Sequence, residues 1–332
     1  MPVLTKPELF ERIRLAFQAA GWALIFDAGS DDHPFSVSIS RATEHRKLLI
    51  YIWNLTHGGG PARPANEFRI QITGVSPPLH LATDRQTLLL GWSDDFGVFA
   101  AFDAVRHQAF TEGSPSIQIR QENLEAAAAG TMSFCPRGNG EIAVALSPDL
   151  LSQYVDEQAA LHTYGDAPQE LHLLEAAAQG ETISDDDVAP LSNERKIVVS
   201  AVARLSRESR FRMRIMRAYN HGCAVCEIQL GLAEAAHIVP VATPGSTDET
   251  SNGIALCPLH HAGYDGAILA ISDDYQIFFS EHKLTELESM GLAGGVEAFR
   301  AVRDTILLPT VIADRPRPEY LRRGIEVRAF AA

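Results

Sequence analysis

Disulfides, membrane spans and positive charge are what this chain lacks. Four cysteines in 332 residues give no disulfide framework, and Cys135 stands apart from the other three. No apolar run reaches the roughly 18 residues that a membrane span needs. The opening MPVLTKPELFERI has no apolar signal-peptide core, so the expected location is cytoplasmic. Lys and Arg number 28 against 42 Asp and Glu, for a net charge of −14. Between 151 and 190 there is no Lys or Arg at all, while nine acids stand there, Asp156 to Asp187. That deficit argues at first sight against a nucleic-acid partner, but distribution matters more than the total. The stretch HGGGPARPANEFRI lacks the Gly-Lys-Ser/Thr ending of a phosphate loop and the G-x-G-x-x-G spacing, so it reads as a turn-rich loop. Arg63 and Arg69 within it could still touch a backbone phosphate. No internal repeat is visible.

What is present concentrates between Cys223 and Asp265. Cys223 and Cys226 form a C-x-x-C, and Cys257 and His260 a C-x-x-H. Two such knuckles, about thirty residues apart, supply the four soft or borderline ligands of a tetrahedral zinc site. The bland alternative is four buried side chains without a metal. Around the knuckles the words are AAHIVP, SNGIALC and CPLHHAGYD. The first is a short apolar run closed by a turn residue, which puts His237 at a strand end. The second opens with turn chemistry and continues as a strand. The third places Pro258 at a first helical position and Gly266 beyond the last. His261 and Asp265, four apart, then share one face of that helix.

The order His237, Asn252, His261 together with these words resembles the HNH nucleases, a branch of the ββα-metal nucleases, and especially the C-terminal domain of many restriction endonucleases. The resemblance covers about 190–285. It implies that His237 is the general base, that Asn252 orients the base or its loop, and that His261 binds a catalytic Mg2+ or Mn2+ beside the structural Zn2+ of Cys223, Cys226, Cys257 and His260. One departure matters. Many members carry Asp or His just before the base, as a metal ligand, where this chain has Ala236. Asp265 is the first candidate replacement, with Glu234 behind it. The ordinary reading of Asp265 is a solvated helix-end carboxylate, and of the two histidines, core residues.

Upstream, 194–217 inverts the charge balance, with eight basic residues against two acidic, a net +6. Its Arg207, Arg210 and Arg214 are candidate phosphate contacts; the competing reading is a solvated helix face. Ile197, Val198, Ala201, Leu205, Phe211 and Ile215 give this helix an apolar side. The first half opens on an amphipathic helix at KPELFERIRLAFQAAGW, followed by strand-like runs at WALIFDA, FSVSISR, KLLIYIWN, FRIQITGV, TLLLGW, GVFAAFDA, SIQIR and EIAVAL. Trp53, Trp92 and Phe96 could stack on an extruded base, though such residues usually build cores. Ser114–Arg120 and Arg137–Glu141 read as polar loop-edge clusters with no assignable chemistry. The tail ILLPTVIADRPRPEYLRRGIEVRAF reads as a Pro- and Arg-rich segment lying across its domain or on DNA.

The expected fold is α+β: a mixed, mostly antiparallel sheet domain with flanking helices over 1–165, an acidic linker over 166–192, and a zinc-stapled ββα-metal (HNH) domain over 193–332. The expected function is metal-dependent hydrolysis of DNA, modified or not, by a restriction or defence nuclease whose N-terminal domain selects the target. The competitors are a non-catalytic zinc-stapled binding module, and a nuclease whose first half serves a protein partner. A second copy of the chain is a candidate partner; a membrane is not.

Overall fold

The computed structural model describes residues 3–27, 33–41, 44–57, 64–110, 115–164, 167 and 170–330. Arg63 and Ser114, named above, lie outside them. The chain divides into two compact units, Met1–Ser209 and Arg210–Ala332.

The first unit is built on strand-forming runs, some alternating and some continuously apolar. Helix α1 (Lys6–Ala19) leads into β1 (Ala23–Phe26), β2 (Phe35–Arg41), β3 (Glu44–Asn54), β4 (Thr56–His57), β5 (Glu67–Gln71), β6 (Gln86–Ser93), β7 (Val98–Phe102) and β8 (Ser116–Arg120). Then come α2 (Gln121–Ala128), β9 (Met132–Pro136), β10 (Ile142–Leu146), α3 (Leu151–Thr163), α4 (Leu171–Gln179) and α5 (Asp185–Val188). Seven strands form one sheet in the order β1-β2-β3-β6-β7-β10-β9. Every pairing in it is antiparallel except β3 with β6. A parallel pair needs a long crossover, and here that crossover contains β4 and β5. These pair with β8 as a second sheet, β4-β5-β8.

Alternation sends side chains to two cores. Ile50 and Ile52 of β3 join Leu9, Ile13 and Phe17 of α1 and Tyr154 of α3 in one. Leu49, Tyr51 and Trp53 of the same strand join Phe68, Ile70, Ile117 and Ile119 of the small sheet and Leu124 of α2 in the other. The large sheet is therefore covered on both faces, so β3, β7 and β10 read as near-continuous apolar runs. Trp53 and Trp92, weighed as base-stacking residues, are buried core members, and Phe96 packs edge-on against Phe68 at 5.5 Å. Strands β4 and β9 were not expected. The first has only two residues, and the second, MSFCP, carries a proline and sits at a sheet edge. The stretch 166–192 is also more than a spacer. Leu171, Leu173, Leu174, Ala177, Ala178 and Leu191 are buried in the first core, a consequence of the apolar LHLLEAAA inside the acidic segment.

Helix α6 (Asn193–Ala218) contains the division between the units. Val198, Val199, Val202 and Leu205 belong to the first core, and Phe211, Ile215 and Met216 to that of the second unit. There β11 (Glu234–His237) pairs antiparallel with β12 (Gly253–Leu256), and α7 (Pro258–Asp265) follows directly. A second hairpin, β13 (Leu269–Ile271) with β14 (Ile277–Phe279), then precedes α8 (Glu281–Ser289), α9 (Val296–Arg300) and α10 (Pro318–Val327). The terminal segment thus ends in a helix whose Leu321 is fully buried in this unit's core.

Candidate active site and metal centre

The cysteine knuckle follows α6. Its turn is closed by Cys223 N donating to Ile228 O and Glu227 N to Cys223 O, each at 2.9 Å. Ala224 N donates to Ala255 O at 2.8 Å and so ties the knuckle to β12. Cys257 caps α7 and His260 lies on its first turn. The four ligand atoms of Cys223, Cys226, Cys257 and His260 all lie within 4.8 Å of one another. The Cys226–Cys257 Sγ separation is 3.8 Å, and His260 Nδ1 lies 3.6 Å from Cys223 Sγ and 3.2 Å from Cys257 Sγ. A tetrahedron with zinc–sulfur bonds of about 2.3 Å and a zinc–nitrogen bond of about 2.0–2.1 Å has edges of about 3.8 and 3.6 Å. The four donors therefore fit a metal ion such as zinc. Burial alone would push the Cys223 thiol up, but His260 and the backbone amides of Cys226, Cys257 and Val225 bring it down to about 6, the direction a thiolate ligand requires. Burial holds Cys226 at about 12; an ion drawing on all four groups must displace that proton.

His237 ends β11, and its Nε2 donates to Asp248 Oδ1 at 2.9 Å. An ionised carboxylate only accepts, so this bond puts the ring proton on Nε2 and the lone pair on Nδ1. The imidazole stacks on Phe211 at 3.7 Å and 10°. Gly253, opposite His237 in the ladder, makes that stack possible. A Cβ there would stand 2.2 Å from Ile215 Cδ1 and 2.7 Å from Phe211 Cζ, so α6 approaches the hairpin only across a glycine. Arg214 Nη2, from the same helix, donates to Asp248 O at 2.6 Å. This candidate phosphate contact thus also fixes the loop that carries the carboxylate.

Asn252 has no solvent exposure. Its Oδ1 accepts from Val239 N at 2.9 Å, and its Nδ2 donates to Thr247 O at 2.8 Å and Val239 O at 3.2 Å. Its side chain therefore ties the loop after β11 to the start of β12. A buried amide so satisfied cannot also reach a substrate.

His261 lies between two carboxylates. Nδ1 is 2.9 Å from Glu234 Oε2 and Nε2 is 3.4 Å from Asp265 Oδ2. The Glu234 bond holds the His261 pKa above its ordinary value, Asp265 acts in the same direction, and Glu234 in turn is lowered by the same bond. The two acids sit at opposite ring nitrogens, so one ion bound at one nitrogen could recruit only one of them. Asp265 is further engaged by Arg328, whose Nη2 lies 2.9 Å from Oδ1. Ala236, between these groups in sequence, is buried and pairs with Ile254. Of the other arginines, Arg207 is exposed and Arg210 half-buried.

Sequence reasoning missed Asp248 and Arg328 and saw Phe211 only as an apolar helix position. Nothing in TDETSN separates Asp248 from neighbouring loop acids, and Arg328 is one of several arginines in the tail.

Residues 223–272 match the family model described as HNH endonuclease. This stretch, with its ββα core and Cys3His group, is an HNH endonuclease domain. Residues 46–155 match the model described as Methylase-associated X1, a range that runs from β3 through both sheets of the first unit into α3. No curated protein matches the chain. Among solved structures, one described as a modification dependent TagI restriction endonuclease aligns over 85% of this chain and 81% of its own. Its identity is 12% and its TM-score 0.29, too low to show a shared fold.

Proposed function

We propose that the chain is a metal-dependent DNA endonuclease. In this reading His237 is the general base that takes the proton of the attacking water at Nδ1, while Asp248 fixes its tautomer and Phe211 its ring plane. The observation that carries it is the His237–Asp248 bond at the end of β11, inside a segment that matches the HNH endonuclease family. An imidazole held in one orientation by a carboxylate suits a general base. Asn252 is assigned to hold the loop between Val239 and Thr247, and through it Asp248.

The residues assigned to a catalytic divalent cation, Mg2+ or Mn2+, are His261 and Glu234. These two would hold it because they already lie 2.9 Å apart, whereas Asp265, the acid favoured from the sequence, already carries the Arg328 cation. Such an ion stabilises charge on the phosphorus oxygens and the leaving oxygen. The Cys3His group is assigned a structural Zn2+. Arg207, Arg210 and Arg214 are assigned to phosphates, on a segment of net +6 in an otherwise acidic chain.

The first unit is proposed to select the target. Its match to a family described as methylase-associated supports a restriction or defence setting in which the DNA's modification state is read.

The test is cleavage of modified and unmodified plasmid with Mg2+ or Mn2+. His237→Ala should lower the rate by about 10²–10⁴, with zinc content and DNA binding retained. A His237→Ala variant that cuts like the wild type would remove His237 from the role of base, and a wild type that does not cut would leave a zinc-stapled binding module in place of a nuclease.

A further inference from the structure

The last helix reaches the site from outside the stretch that matches the endonuclease family. Arg328, the residue after α10, is only 8% exposed at its side chain. Its Nη1 donates to Ile238 O at 2.6 Å and its Nη2 to His237 O at 3.1 Å. Nη2 also lies 2.9 Å, and Nε 3.2 Å, from Asp265 Oδ1. The guanidinium rests 4.1 Å from the Tyr264 ring centroid. Gly324 allows this approach, since a Cβ there would stand 3.0 Å from both Ile238 O and Tyr264 Oη. One side chain thus joins the main chain of the proposed base to the far end of the helix that carries His261.

We propose that Arg328 is a positioning residue for phosphodiester cleavage, an inference that rests on the nuclease reading above. It fixes the strand end on which His237 stands. It also reserves Asp265, so that this carboxylate orients His261 at Nε2 and leaves Nδ1 with Glu234. The geometry needs a planar fork that serves two carbonyls and a carboxylate at once. Lysine keeps the charge but cannot reproduce the fork. Displacing a reacting group by about 1 Å costs on the order of 10²-fold in rate, so loss of the fork should appear in turnover rather than in DNA binding.

The experiment uses the full chain and compares Arg328→Ala, Arg328→Lys and His237→Ala with the wild type. A wild type that does not cut is a failure of the nuclease reading, a His237→Ala variant that cuts equally well is a failure of the base assignment, and both are seen before Arg328 is considered. Given an active wild type, Arg328→Ala should lose on the order of 10- to 10²-fold in kcat, with KM for DNA within about twofold. Arg328→Lys should remain low. Low-millimolar guanidinium should restore part of the Arg328→Ala rate and none of the Arg328→Lys rate, because the lysine chain fills the space. Wild-type kcat in Arg328→Ala, a loss confined to KM, or no rescue by guanidinium overturns the proposal. So does loss of zinc or of cooperative melting in both variants, which would make Arg328 a structural residue only.

Discussion

The two units solve the same problem of burying apolar surface by different means. The first does it with a seven-stranded sheet covered on both faces, and its buried charge is self-contained. Glu141, 1% exposed, accepts from His107 Nε2 at 2.6 Å and from Arg137 Nη1 at 2.7 Å. Arg137 Nη2 also donates to Gln118 at 2.8 Å. The second unit has two hairpins with strands of three or four residues. So few ladder bonds leave the knuckle, β12 and α7 to be joined by the Cys3His group. Its His237 and His261 face carboxylates that are only half-buried or exposed. Charge that is locked away supports a fold; charge held near the surface is available for chemistry.

Removing the metal proposed for the Cys3His group should separate the units most sharply. All three tryptophans, Trp22, Trp53 and Trp92, lie in the first unit. Where ligands are assembled by an ion, binding free energy is folding free energy. A strong chelator, or Cys223→Ser, should therefore abolish the helical and hairpin signals of residues 210–330 by hydrogen exchange. Tryptophan emission should hardly move. Protection of both units lost together would break the contrast.

The next largest effect belongs to Glu141. Breaking a buried ion pair by removing one partner costs roughly 3 kcal/mol or more. Glu141→Ala should lower the stability of the first unit by that order in urea titrations followed by tryptophan emission, and leave zinc content unchanged. Burial alone would raise this carboxyl, yet the bonds from His107 and Arg137 hold it below its ordinary value. The sign follows: its stabilisation is present above the unfolded carboxylate pKa, about 4.3, and disappears as pH falls through the lower folded value. The wild type should lose its margin over Glu141→Ala in that acid window. A margin that persists there would show that the carboxylate's charge is not what stabilises the unit.

Two glycines give the smallest contrast and the most local one. At Gly91 a Cβ would stand 2.5 Å from Ile70 Cγ2, and at Gly253 2.2 Å from Ile215 Cδ1. Overpacking of this kind costs about 1–3 kcal/mol. Gly91→Ala should destabilise the first unit alone. Gly253→Ala should destabilise the second and also slow cleavage, because Phe211 must leave the His237 ring. Equal cleavage by both variants would remove Phe211 from the site.

The sequence by itself determined what is local. C-x-x-C and C-x-x-H fix donor pairs within single turns, Pro258 and Gly266 bound α7, and alternating residues set the strands, so all of these are read from neighbours in the chain. The helix of 193–218 followed likewise from its apolar period. Tertiary structure alone decided the contacts that span many residues. It placed the LHLLEAAA helix, inside an acidic segment, in the first core, because apolar faces bury wherever a complementary face is offered. It joined Arg137 and Glu141 to Gln118, members of two clusters without chemistry assignable from the sequence. It brought Asp248 to His237, Phe211 to the same ring across Gly253, and Arg328 to Asp265 over 63 positions. Such pairings follow from chain closure and packing, and composition carries no trace of them: one arginine in a tail looks like the next until the fold gives it a carboxylate.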